Sequence, residues 1–175
     1  MKSFKYFFAL TALLTVFIIS ANAQTKFIER KIGHVYYMEI PDYMTVTKDL
    51  NDVASLQYQN TLKEAYVIVI EDCKDTLETL GMKFTGPQDF YDHFIGDFSK
   101  GIGEKEQTET KNIKINGNDA VQAELSGKFK DLPIWYLITV VESPHYFYKI
   151  ITWTIGENKD KLKTDYIKMV NSFHE

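Results

Sequence analysis

Two long stretches late in the chain, residues 132–142 and 145–155, are apolar on both faces, and only Ser143 and Pro144 separate them. A strand with one polar face can lie at a surface, whereas a strand apolar on both faces needs cover above and below. The pair therefore reads as the centre of a sheet held between two further layers. Parallel neighbours need a crossover of about a dozen residues or more, so a connection this short makes the two strands antiparallel.

The remaining pattern supplies the cover. Residues 34–40 are rich in aromatic and β-branched side chains and stop at Pro41-Asp42, which predicts a strand after a short N-terminal segment at 27–31. Residues 54–59 and 65–70 predict a hairpin whose second strand is buried on both faces. From Gly86-Pro87 the period changes. Phe90, Tyr91, Phe94, Ile95, Phe98 and Ile102 recur at helical spacing, with proline suited to the first helical position and Gly101 and Gly103 ending the run. If that aromatic face packs on a sheet, Phe94 and Phe98 are expected to be largely buried. Residues 108–115 lead into Asn116-Gly117-Asn118, a hairpin signal because a type I′ turn needs positive φ at both central positions. The next strand alternates Val121, Ala123 and Leu125 with Gln122, Glu124 and Lys128, which predicts one wet face. Leu162, Tyr166, Met169, Val170 and Phe173 then mark a closing helix, over 158–173, with a narrow apolar stripe and a lysine-rich outer face. The expected class is α+β: a mainly antiparallel sheet flanked by helices, one on each face, in an α/β/α sandwich.

The first residues stand apart from this domain. Lys2 and Lys5 precede an apolar run at 7–19 that ends in Ala21-Asn22-Ala23, the pattern of a secretory signal peptide with cleavage before Gln24. The run is too short for a comfortable membrane span. Cys73 is the only cysteine, so the lipid-anchored kind of signal, which needs cysteine at the first mature position, is excluded. Residues 24–175 are then expected to be one soluble, exported domain, periplasmic or extracellular, with no membrane span. Removing 1–23 takes away two lysines and no acids, leaving 18 basic and 24 acidic residues, a net charge of −6. Nucleic-acid binding needs a basic footprint and is not expected. With 45% hydrophobic residues and a single cysteine, neither disorder nor a disulfide scaffold fits, and packing must supply the stability.

In this order the pieces resemble the PsbP-like group, the fold shared by the photosystem II protein PsbP, the Ran-binding protein Mog-one and bacterial envelope proteins of the DcrB type. The resemblance rests on Tyr37-Met38-Glu39-Ile40-Pro41, on Ile115-Asn116-Gly117-Asn118-Asp119-Ala120, on the paired strands around Trp135 to Val141 and Tyr146 to Trp153, and on Asn171-Ser172-Phe173. It implies an antiparallel sheet between helices. Members mostly bind partners and share no catalytic motif, so no family residue transfers to a role here.

Several side-chain groups invite a chemical reading. Asp89, His93 and Asp97 lie four apart on the aromatic helix and could hold a divalent cation, the basis of an alternative reading as a metal-assisted hydrolase. The plainer reading is the solvated flank of an amphipathic helix. Cys73 is flanked by Glu71, Asp72, Lys74 and Asp75, which suggests an inert thiol, because neighbouring acids raise a thiol pKa. No Gly-x-Ser-x-Gly elbow, P-loop or dinucleotide fingerprint occurs in the sequence. Trp135, Tyr136, Tyr146, Tyr148 and Trp153 crowd the two central strands and are the candidate residues for a ligand or partner surface. The lysines at 159, 161, 163 and 168 read as a solvated face. The expected function is a non-catalytic binding or protein-interaction module of the bacterial envelope, with no cofactor, whose partner is an envelope protein or a small ligand.

Overall fold

The computed structural model describes residues 24–33 and 35–175, so the segment expected to be a signal peptide and the start of the strand expected from His34 lie outside the described residues. Strands β1 (Phe27–Ile32) and β2 (Tyr36–Pro41) form a separate antiparallel pair. The main sheet contains β3 (Thr45–Val46), β4 (Leu56–Asn60), β5 (Ala65–Cys73), β6 (Gly103–Gln107), β7 (Lys111–Ile115), β8 (Asn118–Phe129), β9 (Leu132–Glu142) and β10 (Tyr146–Ile155). Helix α1 (Lys74–Thr79) follows β5, α2 (Pro87–Phe98) precedes β6, and α3 (Lys159–Asn171) follows β10. The sheet order is β3-β4-β5-β10-β9-β8-β6, with β7 also on β8, and every pairing is antiparallel.

The hairpin that is apolar on both faces lies at the middle of this sheet. Its turn is closed by the Ser143 amide donating to Tyr146 O at 2.9 Å. Strict alternation along β9 and β10 then feeds two cores. On one face Trp135, Leu137, Val141, Tyr148 and Ile150 meet Leu162, Tyr166, Met169, Val170 and Phe173 of the α3 segment, with Tyr36, Met38 and Ile40 of β2 completing the layer. On the other, Ile138, Val140, Phe147 and Ile151 meet Phe90 and Tyr91 of α2. One helix covers each face, as two doubly apolar strands require.

Local chemistry explains the joints. Asn116 and Gly117 carry φ of 48° and 91° between the paired residues Ile115 and Asn118, the two positive angles that a two-residue hairpin turn needs. Gly127 has a packing reason instead. A Cβ there would collide with Ile102 Cγ2 and lie 2.8 Å from the Gly103 carbonyl oxygen, where β6 crosses β8.

Several details differ from the sequence expectation. The N-terminal segment is a full strand, and β6 and α1 are additional elements; none of the five β6 residues is buried, and α1 buries no side chain, so neither leaves a periodic apolar signal. The second aromatic helix turn is shallower than expected. Phe90 and Tyr91 are buried, whereas Phe94 and Phe98 are only half-buried, because the start of α2 lies closest to the sheet. Ile102 is buried beyond the helix end, in extended backbone. Finally, the polar side of β8 is only partly wet: Lys128 is exposed, whereas Gln122 and Glu124 are half-covered and Glu124 pairs with Lys163 of α3.

Phe90 stacks on Phe147 at 4.5 Å and meets Phe84 edge-on at 5.0 Å, so Phe90→Ala should cost about 3–5 kcal/mol in urea unfolding. Phe94→Ala should cost about half as much or less, because part of its ring is already in water. Equal losses would contradict the half-buried placement of Phe94.

Candidate functional site

The five aromatic residues singled out in the sequence do not form one cluster. Successive strand residues point to opposite faces, so Trp135 and Tyr136 diverge. Trp135, Tyr146 and Tyr148 lie on the α3 side. Trp135 is buried, stacks on Tyr166 with planes 5° apart, and donates its Nε1 hydrogen to Glu124 at 3.0 Å. Tyr148 is fully buried between Tyr36 and Phe173, with its hydroxyl donating to Glu175 at 2.7 Å, and half-buried Tyr146 lies beside it. These rings are packed into the α3 core.

Tyr136 and Trp153 lie on the α2 side and are half-buried. They are register partners across β9 and β10, and Trp153 is also the partner of Tyr66 on β5. Direct neighbours in a sheet stand about 5 Å apart, so three aromatic partners make a continuous row. Trp153 and Tyr66 stack at 5.2 Å with planes 12° apart, Tyr136 follows at 6.2 Å, and Phe98 of α2 meets Tyr136 edge-on at 5.3 Å. Burial, together with the Glu64 carboxylate that accepts from its hydroxyl, pushes Tyr66 up to about 12. Burial also raises Tyr136. Tyr66 and Phe98 were not among the candidates; Tyr66 joins the row through the β5–β10 pairing, which no local spacing in the sequence gives.

The α2 flank is exposed. Asp89 accepts from the Thr85 amide and hydroxyl at 3.0 and 3.2 Å, His93 leans on Phe84 at 5.2 Å, and Asp97 pairs with Lys100 at 2.5 Å, which holds its carboxyl below the usual range. Each has its own partner, and among the described residues no three His, Cys, Asp or Glu side chains converge. Cys73 behaves differently from its sequence context. It lies at the start of α1, where the Thr76 amide and hydroxyl and the Asp75 amide draw its pKa down and outweigh the neighbouring Asp75 charge, although none forms a fully directed cap.

The most organised polar group in the molecule is structural. Glu124 Oε1 receives Lys163 at 2.6 Å, Oε2 receives Lys159 at 2.9 Å, and Oε2 also accepts from Trp135. Burial alone would raise this carboxyl, but the three donors hold it down at about 2. The expected solvated lysine face of α3 is thus partly an inward clamp that fastens the helix to β8. Lys168 lies over the Phe27 ring at 3.9 Å, and Lys161 binds Asn158 at 2.9 Å.

No protein-family model matches this chain, and no curated protein sequence matches it at a significant level. Solved structures do share its fold. Cyanobacterial PsbP (CyanoP) from Synechocystis aligns with a TM-score of 0.61 at 16% identity, covering 89% of this chain and 95% of that one. LpqN, involved in cell envelope biogenesis of Mycobacterium tuberculosis, aligns with a TM-score of 0.61 at 8% identity, covering 86% and 90%. PA94 from Pseudomonas aeruginosa, a protein of unknown function, aligns with a TM-score of 0.52 at 11% identity, covering 83% and 94%. The chain has a PsbP-like fold. Among the described residues no helix is long and apolar enough to cross a membrane.

The Glu124 clamp carries a pH signature. A carboxyl whose folded pKa is depressed from 4.5 to about 2 stabilises the fold fully above its unfolded value and loses that contribution as pH falls from about 4.5 to about 2. Both lysine side chains are more than a third exposed, so solvent screening reduces the contribution to about 1–2 kcal/mol. Glu124→Gln should therefore lower stability by about that amount at pH 7 and flatten the acid limb of the stability curve. Unchanged stability at pH 7 in urea unfolding would contradict the clamp.

Proposed function

We propose that residues 24–175 act as one exported, non-catalytic binding module of the cell envelope, engaging an envelope protein or small ligand through the aromatic row Phe98, Tyr136, Trp153 and Tyr66. The observation that carries this reading is that the row is half-exposed. Helix α2 packs over β8 and β9 and leaves the β10 and β5 part of the row less covered. Monomeric surfaces tend to keep contiguous aromatic patches where they are used, and Trp and Tyr dominate the energetic centres of interfaces. The signal sequence at 1–23 supports export, and the shared fold with LpqN, a protein involved in cell envelope biogenesis, supports the envelope as the place of work. Trp135, Tyr146 and Tyr148 would contribute from below, fixing the central strands rather than touching a partner.

The test is affinity capture from an envelope extract with the exported protein and with Tyr136→Ala and Trp153→Ala. The exported protein should have the mass of a chain beginning at Gln24. A specific co-purifying partner should bind the variants at least about thirty-fold more weakly, the scale of an interface anchor, with their folded state preserved by circular dichroism. A retained residue 1–23 segment, or partner affinity unchanged in both variants, would overturn the reading.

A further inference from the structure

A cavity of about 530 Å³ lies between the β1–β2 pair and the β3–β4 edge of the main sheet, and it shares no residue with the aromatic row. One wall is residues 30–33 and the other is 46–48, with residues of the 51–58 segment making the floor. The volume falls within the range of small-molecule sites, about 300–1,000 Å³.

Arg30 and Lys48 line the cavity, and among the described residues neither has a carboxylate within ion-pair distance. Lys31 turns away, with its ammonium 5.3 Å from the Tyr37 ring centre. Asp52 is the one acidic side chain in the lining. Two unpaired cations against one acid, on a chain of net charge −4, form a local positive site rather than part of a general basic surface.

The loop that carries Lys48 is held in place. Buried Gln57 accepts the Leu50 and Asn51 amides through Oε1, both at 3.0 Å, and donates from Nε2 to Asn51 O at 2.6 Å. Asn51 Oδ1 accepts the Val53 amide at 3.0 Å, and the Thr47 amide donates to Gln57 O at 3.1 Å. At the floor, the Ser55 hydroxyl is hydrogen-bonded to Tyr36 at 2.8 Å. A loop whose polar groups are satisfied internally loses little freedom on binding, which favours affinity. Arg30 offers a planar fork suited to two oxygens of one group, and Lys48 offers a second point charge across the cavity.

We propose that this cavity binds a small molecule bearing at least two oxyanion groups, carboxylate or phosphate, with Arg30 and Lys48 as its two cationic contacts. Citrate and pyrophosphate are suitable probes, titrated calorimetrically into the exported protein at low salt. At least one should bind saturably with one site, and which one binds separates carboxylate from phosphate chemistry. Arg30→Gln and Lys48→Gln should each weaken that binding about tenfold or more, the scale of a lost charge-assisted hydrogen bond, with unchanged thermal midpoints. Lys130→Gln, which removes one charge from an exposed turn elsewhere, should leave it unchanged. Absence of saturation by both probes up to about 10 mM, or equal weakening by Lys130→Gln, would overturn the proposal.

Discussion

The structure depends on the burial of one hairpin from both sides. β9 and β10 present apolar side chains above and below, and neither face can be left in water at about 25 cal/mol per Å² of apolar surface. That single constraint calls for a helix on each side, and it places α2 and α3 where they are. It also sets the order of the flanking strands, since β5 and β8 take the two open edges of the hairpin and extend the sheet outward. The edges of the sheet are then a two-residue strand at one end and, at the other, the charged run Gly103–Gln107 beside the lysine-bearing strand Lys111–Ile115, all short and poor templates for pairing with another chain.

The two faces are finished differently, and the difference decides how much aromatic surface each leaves uncovered. On the α3 side the roof is the fuller one: apolar residues of the helix and of β2 fill the core, and the Glu124 clamp ties β8 to the helix at its margin. On the α2 side the helix is anchored mainly through Phe90 and Tyr91 near its start, and the aromatic row beyond Phe98 is only half-covered. An aromatic ring on the closed side serves packing, whereas one on the open side retains surface with which to meet another molecule. The oxyanion cavity lies apart from both, at the junction where the small β1–β2 pair meets the sheet edge.

The layers were legible in the sequence because they follow from periodicity, which is local. The doubly apolar pair, the Asn116-Gly117 turn and the two amphipathic helices each carry their signal within about fifteen residues. The features that were not legible depend on distance through space. Glu124 meets Lys163 across 39 positions, so neither the polar side of β8 nor the lysines of α3 showed in sequence that they face each other. The depth of Phe94 and Phe98 depends on how the helix axis sits over the sheet, which periodicity does not contain. The lowering of the Cys73 pKa by the Thr76 and Asp75 amides and the Thr76 hydroxyl at the start of α1, against the charge of Asp75, depends on how the chain turns there rather than on which residues flank the thiol. The grouping of Trp135 with Tyr136 ignored the alternation that sends adjacent strand residues to opposite faces.

Native-state hydrogen exchange tests the dependence on the central hairpin most directly. Paired on both edges and covered on both faces, the amides of Ile138, Val140, Ile150 and Ile151 should exchange only through global unfolding, with opening free energies equal to that from urea denaturation. The β6 edge should exchange far faster. Exchange of the β9 and β10 amides at rates like those of β6, or through a local opening well below the global free energy, would contradict the claim that this hairpin holds the fold together.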